Sequence, residues 1–275
     1  MSASRAASPL IWRWWRVRAA VAGAAIIGFG VLPVAAATGP FVRGSSGFDA
    51  SYPNCSSHLP NGDSFAIVGV TGGRPFSTYS CFGDLWNAAK TAIAGKSGAT
   101  ESLYFNTGYS GAYGKDISSS CSTAEESSFT GPTGLSRHLQ KQAEQAWEIG
   151  CSEVNYAIAA FKAAGVEPAP TMLFADIETG NSWSSNVILN RSAIDGISWE
   201  MGQEGSDGLG GIYSSTSMWA TITGSDSFSP SPPVSANWIV GEAGACPSAS
   251  PFDTASPTWV LQGSESGGVD TDTGC

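Results

Sequence analysis

Apolar runs and amphipathic stretches alternate along the chain. "FAIVGV" (65–70) and "MLFADI" (172–177) are nearly continuous apolar segments, as in strands of a parallel sheet covered on both faces. Shorter strand candidates lie at 46–51, 102–106, 210–215, 237–242, 258–262 and 267–270. Between them, residues 137–164 carry Leu139, Ala143, Trp147, Gly150, Val154, Ile158 and Phe161 at spacings of three and four. That spacing gives one apolar stripe on a long helix, which Gly165 stops. Further helices are expected at 83–94, 190–204 and 216–222, and a polar Gly/Ser-rich loop from 107 to about 135. Alternating strands and helices, with "SPSPP" (229–233) too short to separate domains, predict a single α/β domain. Eight strand candidates favour a closed barrel over an open sheet.

One apolar run contains an anomaly. "MLFADIETGNSW" (172–183) carries Asp176 and Glu178 one residue apart, so on a strand both point to the face opposite Ile177. Carboxylates are rarely buried unless paired, so the pair is either held by Arg or backbone N–H groups at a loop edge or belongs to an acid site. In a parallel barrel the strand C-terminal ends form the active rim. Asp49, near the end of the first strand, and Asp270, in the last, would meet the pair there.

The N-terminal residues change the count of what folds. Four arginines and no acids precede an apolar stretch of roughly 14 residues and "AAA" at 35–37, the layout of an export signal cut near Ala37. The domain would then span 38–275, with no membrane attachment in the mature form. Of 13 basic and 23 acidic residues, four arginines leave with the leader, so nine basic face 23 acidic and the net charge is −14. Such a surface argues against nucleic acid and anionic membrane as partners. All six cysteines follow the leader. An even count in an exported chain favours disulfides, and sequential pairing is expected: 55 with 81, 121 with 151, 246 with 275. No C-x-x-C occurs, so neither structural zinc nor thioredoxin-like redox chemistry is expected.

Other chemistries find little support. "GYSGA" (108–112) falls short of the G-x-S-x-G nucleophile elbow, only His58 and His138 could serve a Ser-His-Asp triad, and H-E-x-x-H, P-loop and G-x-G-x-x-G patterns are absent. Carboxylates with abundant Trp and Tyr remain. That combination suits sugars: acids protonate and stabilise the glycosidic centre, and aromatic faces cover the C–H faces of the rings. Tyr213 at the end of "GGIY", and Trp183 and Trp219 beyond the acids and the "GGIYSSTS" segment, are candidate stacking residues.

Four segments in order, "GFDAS", "DIE", "GGIYSSTSMW" and "WVLQ" with "GGVD", resemble the landmarks of family 25 glycoside hydrolases, the lysozyme-like muramidases. The chain looks most similar to divergent secreted actinobacterial members with extra cysteines. The resemblance implies a TIM-like (β/α)5β3 barrel, stapled here by disulfides, that cleaves the β-1,4 bond between N-acetylmuramic acid and N-acetylglucosamine without a metal or other cofactor. Carried over by motif, Glu178 would be the general acid, Asp176 its partner, and Asp49 and Asp270 part of the acidic floor. In this family the substrate's acetamido group is thought to act as nucleophile. Two departures stand out: Gly72 in "VTGGRP" replaces an acid or amide, and "SLYFN" keeps Tyr104 but has Phe105 and no histidine. The expected partner is peptidoglycan or a related cell-wall polysaccharide, bound by a secreted monomer. A non-catalytic glycan-binding protein using the same cleft is the alternative.

Overall fold

A computed structural model describes residues 39–203, 209–240, 246, 247 and 250–275. The leader expected at 1–37 lies outside the described residues. Eight strands close into one barrel in sequence order: β1 (Ser46–Ala50), β2 (Phe65–Gly69), β3 (Thr100–Asn106), β4 (Met172–Asp176), β5 (Leu209–Ser214), β6 (Ala236–Val240), β7 (Thr258–Ser266) and β8 (Val269–Gly274). Neighbours from β1 to β7 are parallel, whereas β8 runs antiparallel to both β7 and β1. Helices α1 (Phe82–Ile93), α2 (Ser119–Ser128), α3 (Arg137–Ala163), α4 (Val187–Gln203) and α5 (Thr216–Thr223) all fall before β6. The helix-poor C-terminal third and the closed barrel are the expected (β/α)5β3 arrangement.

Alternation along the strands explains why the runs look apolar throughout. Phe65 and Ile67 of β2, with Met172 and Phe174 of β4, fill the barrel with Trp238, Trp259 and Val260. Ala66, Val68, Leu173 and Ala175 point outward into the layer shared with the helices, among them Leu85, Val154, Phe161 and Ile197. Both faces are therefore dry, and a period-two polar pattern is lost except at the strand ends.

Two expectations need correction. "GGVD" does not begin a strand at Gly267: Gly267 and Gly268 both have positive φ and form the two-residue turn joining β7 to β8. Such hairpin turns favour consecutive glycines because both central residues sit in the left-handed region. The presumed loop 107–135 also holds a 3-10 turn (Gly111–Asp116) and α2. Helix α2 is Ser-rich with a single buried residue, Cys121, so it lacks the apolar stripe that would have marked it. Its start is capped by Ser118, whose hydroxyl accepts from the Cys121 N–H.

The disulfides pair sequentially, Cys55–Cys81, Cys121–Cys151 and Cys246–Cys275. They tie the loop after β1 to the start of α1, α2 to α3, and the segment after β6 to the final residue. Among the described residues no helix is long and apolar enough to cross a membrane.

Candidate active site

Asp49 is the fourth of the five β1 residues and Asp176 the last of β4; each points inward because its parity matches the interior residues of its strand. Glu178 lies two residues beyond Asp176, with Ile177 between them turned into the outer core. Asp270 arrives from the opposite direction. It is the second residue of β8, not the end of a parallel strand, and because β8 is antiparallel its start reaches the same rim, in register with Asp49. The four acids expected to meet do share one rim, although Asp270 reaches it from the start of the last strand and not from its end. The four border a cavity of about 460 Å³, joined by Glu265, Tyr104, Tyr213, Trp238 and Gln262. Among the described residues no Lys or Arg lines it.

The acids are held on a polar frame. The Tyr213 hydroxyl donates to Gln262 Oε1 at 2.5 Å, and Gln262 Nε2 donates to Asp49 Oδ2 at 2.8 Å. Asn106, at the end of β3, donates from Nδ2 to Asp176 Oδ2 and is itself fixed through Thr71. Thr107 donates twice to the Asp176 carbonyl, at 2.6 Å from Oγ1 and 3.2 Å from N–H. The other Asp176 oxygen, Oδ1, is buried without a partner. Beneath the acids, Trp238 donates to Asp272 Oδ1 at 2.9 Å and packs against Tyr213 at 4.4 Å between ring centroids.

Burial is the leading influence on every one of these carboxyls, and it disfavours the charged form. Asp49 is pushed up to about 7 by burial, with Asp270 and Glu178 adding repulsion and the Gln262 hydrogen bond opposing. Asp176 lies well above the usual carboxylate range because of burial and the neighbouring Glu178. Burial also raises Glu178, Tyr213 pulls it back, and Asp270 adds to the rise. Asp270 is raised by burial and by Glu265, and Asp272 is raised well above the usual range by burial and Asp49. The cluster thus retains protons near neutrality and shares them among its members. Glu178 and Asp270 are only half-buried while Asp49 and Asp176 are buried, so these two are the raised carboxyls of the cluster that a bound molecule can reach.

The raised Asp49 has a consequence for stability. Its proton is held more tightly in the folded chain, with a midpoint near 7, than at the ordinary value of 3.8. Its contribution to stability is therefore full below that ordinary value and is lost as pH rises through about 7. Asp49→Asn keeps an oxygen acceptor for Gln262 and carries no charge, so it should raise the melting temperature at pH 8 and leave it nearly unchanged at pH 4. A variant that melts lower at pH 8 than the parent would contradict this.

The aromatic candidates divide. Tyr104 and Tyr213 border the cavity. Trp219 does not: it is fully buried, stacks between Phe228 and Phe252, and donates its indole N–H to the Phe228 carbonyl at 3.1 Å. It stands on α5, which turns it behind the barrel wall. Trp183 is also absent from the cavity lining; its indole donates to the Glu178 carbonyl at 2.9 Å and braces the chain that carries the acid. Sequence reading missed Trp238 and Gln262. Gln262 left a signal, a polar residue ending an apolar strand as Asp176 does in β4, whereas Trp238 looked like ordinary core.

No family model and no curated protein sequence matches the chain. Among solved structures, the bacterial lysozyme from Streptomyces coelicolor matches with a TM-score of 0.50 at 19% identity, covering 84% of this chain and 92% of that one. The muramidase from Trichobolus zukalii gives a TM-score of 0.49 at 17% identity, covering 84% and 93%. A family GH25 lysozyme from Aspergillus fumigatus gives 0.48 at 16% identity over the same shares of the chains, 84% and 93%. At such identities the likeness to the Streptomyces coelicolor enzyme is one of fold: this chain has a lysozyme-type (β/α)-barrel fold.

Proposed function

We propose that the chain is an exported glycoside hydrolase of the family 25-like type that cleaves β-1,4 bonds in bacterial peptidoglycan, with Glu178 as general acid. The observation that carries the reading is the meeting of Asp49, Asp176, Glu178 and Asp270 at one rim of a barrel whose fold is that of a lysozyme. Burial and the Asp270 carboxyl raise Glu178 above the usual carboxylate range against the Tyr213 hydrogen bond, the direction a general acid needs. Glu178 gives its proton to the leaving glycosidic oxygen.

Asp176 is fixed by Asn106 on one oxygen and leaves Oδ1 unpartnered. Asp176 thus stays in the buried floor of the cleft, and the substrate's own acetamido oxygen attacks the anomeric carbon. Asp270 offers its half-exposed carboxyl as positive charge develops on the sugar ring, and Tyr104 and Tyr213 offer surfaces at the ring's edge. The two departures from the family pattern leave this machinery in place: Phe105 packs in the outer core and Gly72 donates its N–H to Ser77. The leader and three disulfides support export to an oxidising compartment.

Incubation with insoluble peptidoglycan separates catalysis from mere binding. The expected result is steady release of soluble reducing ends, with the rate falling as rising pH takes the proton from Glu178. Retention of the protein on the wall with no release at any pH would leave a glycan-binding protein and end the hydrolase reading.

A further inference from the structure

One buried acid stands apart from the cluster at the rim. Glu153 belongs to α3, is 2% exposed and does not border the cavity. Among the described residues it has no ion-pair partner. Burying a carboxyl without a cation is costly, so its place in the helix layer needs a physical reason. What it holds is a backbone group: the buried Gly108 N–H donates to both its oxygens, at 3.2 Å to Oε1 and 3.4 Å to Oε2.

Gly108 sits within a strip, residues 106–109, in which every residue is tied. Asn106 donates to the Asp176 carboxyl, and Thr107 donates to the Asp176 carbonyl from both its hydroxyl and its N–H. Next to Gly108, the Tyr109 N–H donates to the Ser182 carbonyl at 2.6 Å. The strip therefore grips both ends of the stretch 176–182, and Glu178 lies between them. The grip is close, because a Cβ on Gly108 would come within 2.6 Å of the Ser182 carbonyl oxygen. Register pairing of β3 with β4 ends at Asn106 and Asp176, so beyond that point these bonds replace the strand ladder. The polar link from the strip to α3 is Glu153. Carbonyls in the middle of a helix are spent on its own hydrogen bonds, so a side chain must reach out to meet the Gly108 N–H.

We propose that Glu153 is a positioning residue for the acid pair: through Gly108 it sets where the 106–109 strip lies, and the strip sets where Glu178 meets the bound glycan. The proposal rests on the glycan-cleaving reading and adds to it a residue of the helix layer, outside the cavity. Burial raises the Glu153 carboxyl well above the usual carboxylate range, against the Gly108 hydrogen bond. An amide, uncharged and of the same shape, is therefore its conservative replacement. Leucine fills the same space and offers no acceptor.

The test measures kcat and KM of the full oxidised chain on soluble, sonicated peptidoglycan, with thermal unfolding beside it. Glu153→Leu should lower kcat by roughly tenfold to a hundredfold, the scale of a small misplacement of a reacting group, and leave KM within about twofold. Glu153→Gln, which keeps an oxygen for Gly108, should hold kcat near that of the parent. Glu153→Asp keeps the acid but withdraws it by one methylene, so it should show the same loss in smaller measure, and it decides the matter should the Leu chain not fold. A residue that only braces the fold would move the melting temperature and leave kcat of the folded chain alone. Parent-level kcat in the folded Leu or Asp chain, a loss in KM instead of kcat, or no rescue by Gln overturns the positioning role and leaves the hydrolase reading standing. A parent chain that releases no reducing ends overturns both.

Discussion

Glu178→Gln is expected to lower the rate constant for peptidoglycan hydrolysis by between about a hundredfold and ten-thousandfold, the span of a positioned general acid. The amide is nearly isosteric and cannot donate the proton that the leaving oxygen requires. Folding should survive: the Glu178 side chain is half-buried, and its backbone carbonyl, held by Trp183, is untouched by the change. Removing a carboxyl that burial and Asp270 already disfavour as an anion should raise the melting temperature slightly at pH 8. Initial rates of reducing-end release, measured beside thermal unfolding, check both halves. Parent-like rates in a folded variant would remove Glu178 from the mechanism.

The largest effect on stability is expected where α3 crosses α4. A Cβ on Gly150 would lie 1.9 Å from the Ala193 carbonyl oxygen, and one on Gly196 would lie 2.1 Å from that of Trp147. Neither obstacle is a side chain that could rotate away; both are backbone atoms of the facing helix. Gly150→Ala or Gly196→Ala must therefore push the helices apart along a seam that includes Ala143, Ala146, Ile149 and Ala193. Overpacking of this kind costs about 3 kcal/mol or somewhat more, against which the better helix propensity of alanine returns at most about 1 kcal/mol. For a domain of this size the melting temperature should fall by roughly 5 °C or more. A fall under about 1 °C in either variant would mean that the helices do not meet backbone to backbone.

Gly150 illustrates how far the sequence could be read. Its place in the three-and-four stripe was visible, which put it on the buried face of α3, but its contact with α4 depends on a glycine 46 positions later in a helix without a clear stripe. The same division runs through the site. Asp176 and Glu178 stood out because period two puts them on one face of an apolar strand. Asp49 and Asp270 followed from strand ends converging on one rim. Trp238 lies deeper inside the barrel in an apolar run, "NWIV", where nothing local told inward from outward, whereas Asp272 shares a face with Asp270 two residues before it. Trp219 misled because helix packing, not its distance along the chain from a strand end, decides where its ring goes. Helix α2 was hidden for another reason: its hold on α3 comes from the Cys121–Cys151 bond and from Ser118, which donates its N–H to Ser152 and accepts from Asn155, instead of an apolar face.

The reading as a whole turns on which bond is cut. Mass analysis of the soluble fragments released from purified peptidoglycan by the oxidised chain, beside Glu178→Gln, measures this directly. The account predicts fragments whose reducing end is N-acetylmuramic acid, formed by the parent and at no more than about a hundredth of its rate by the variant. Fragments ending in reducing N-acetylglucosamine, or equal release by parent and variant, would contradict it.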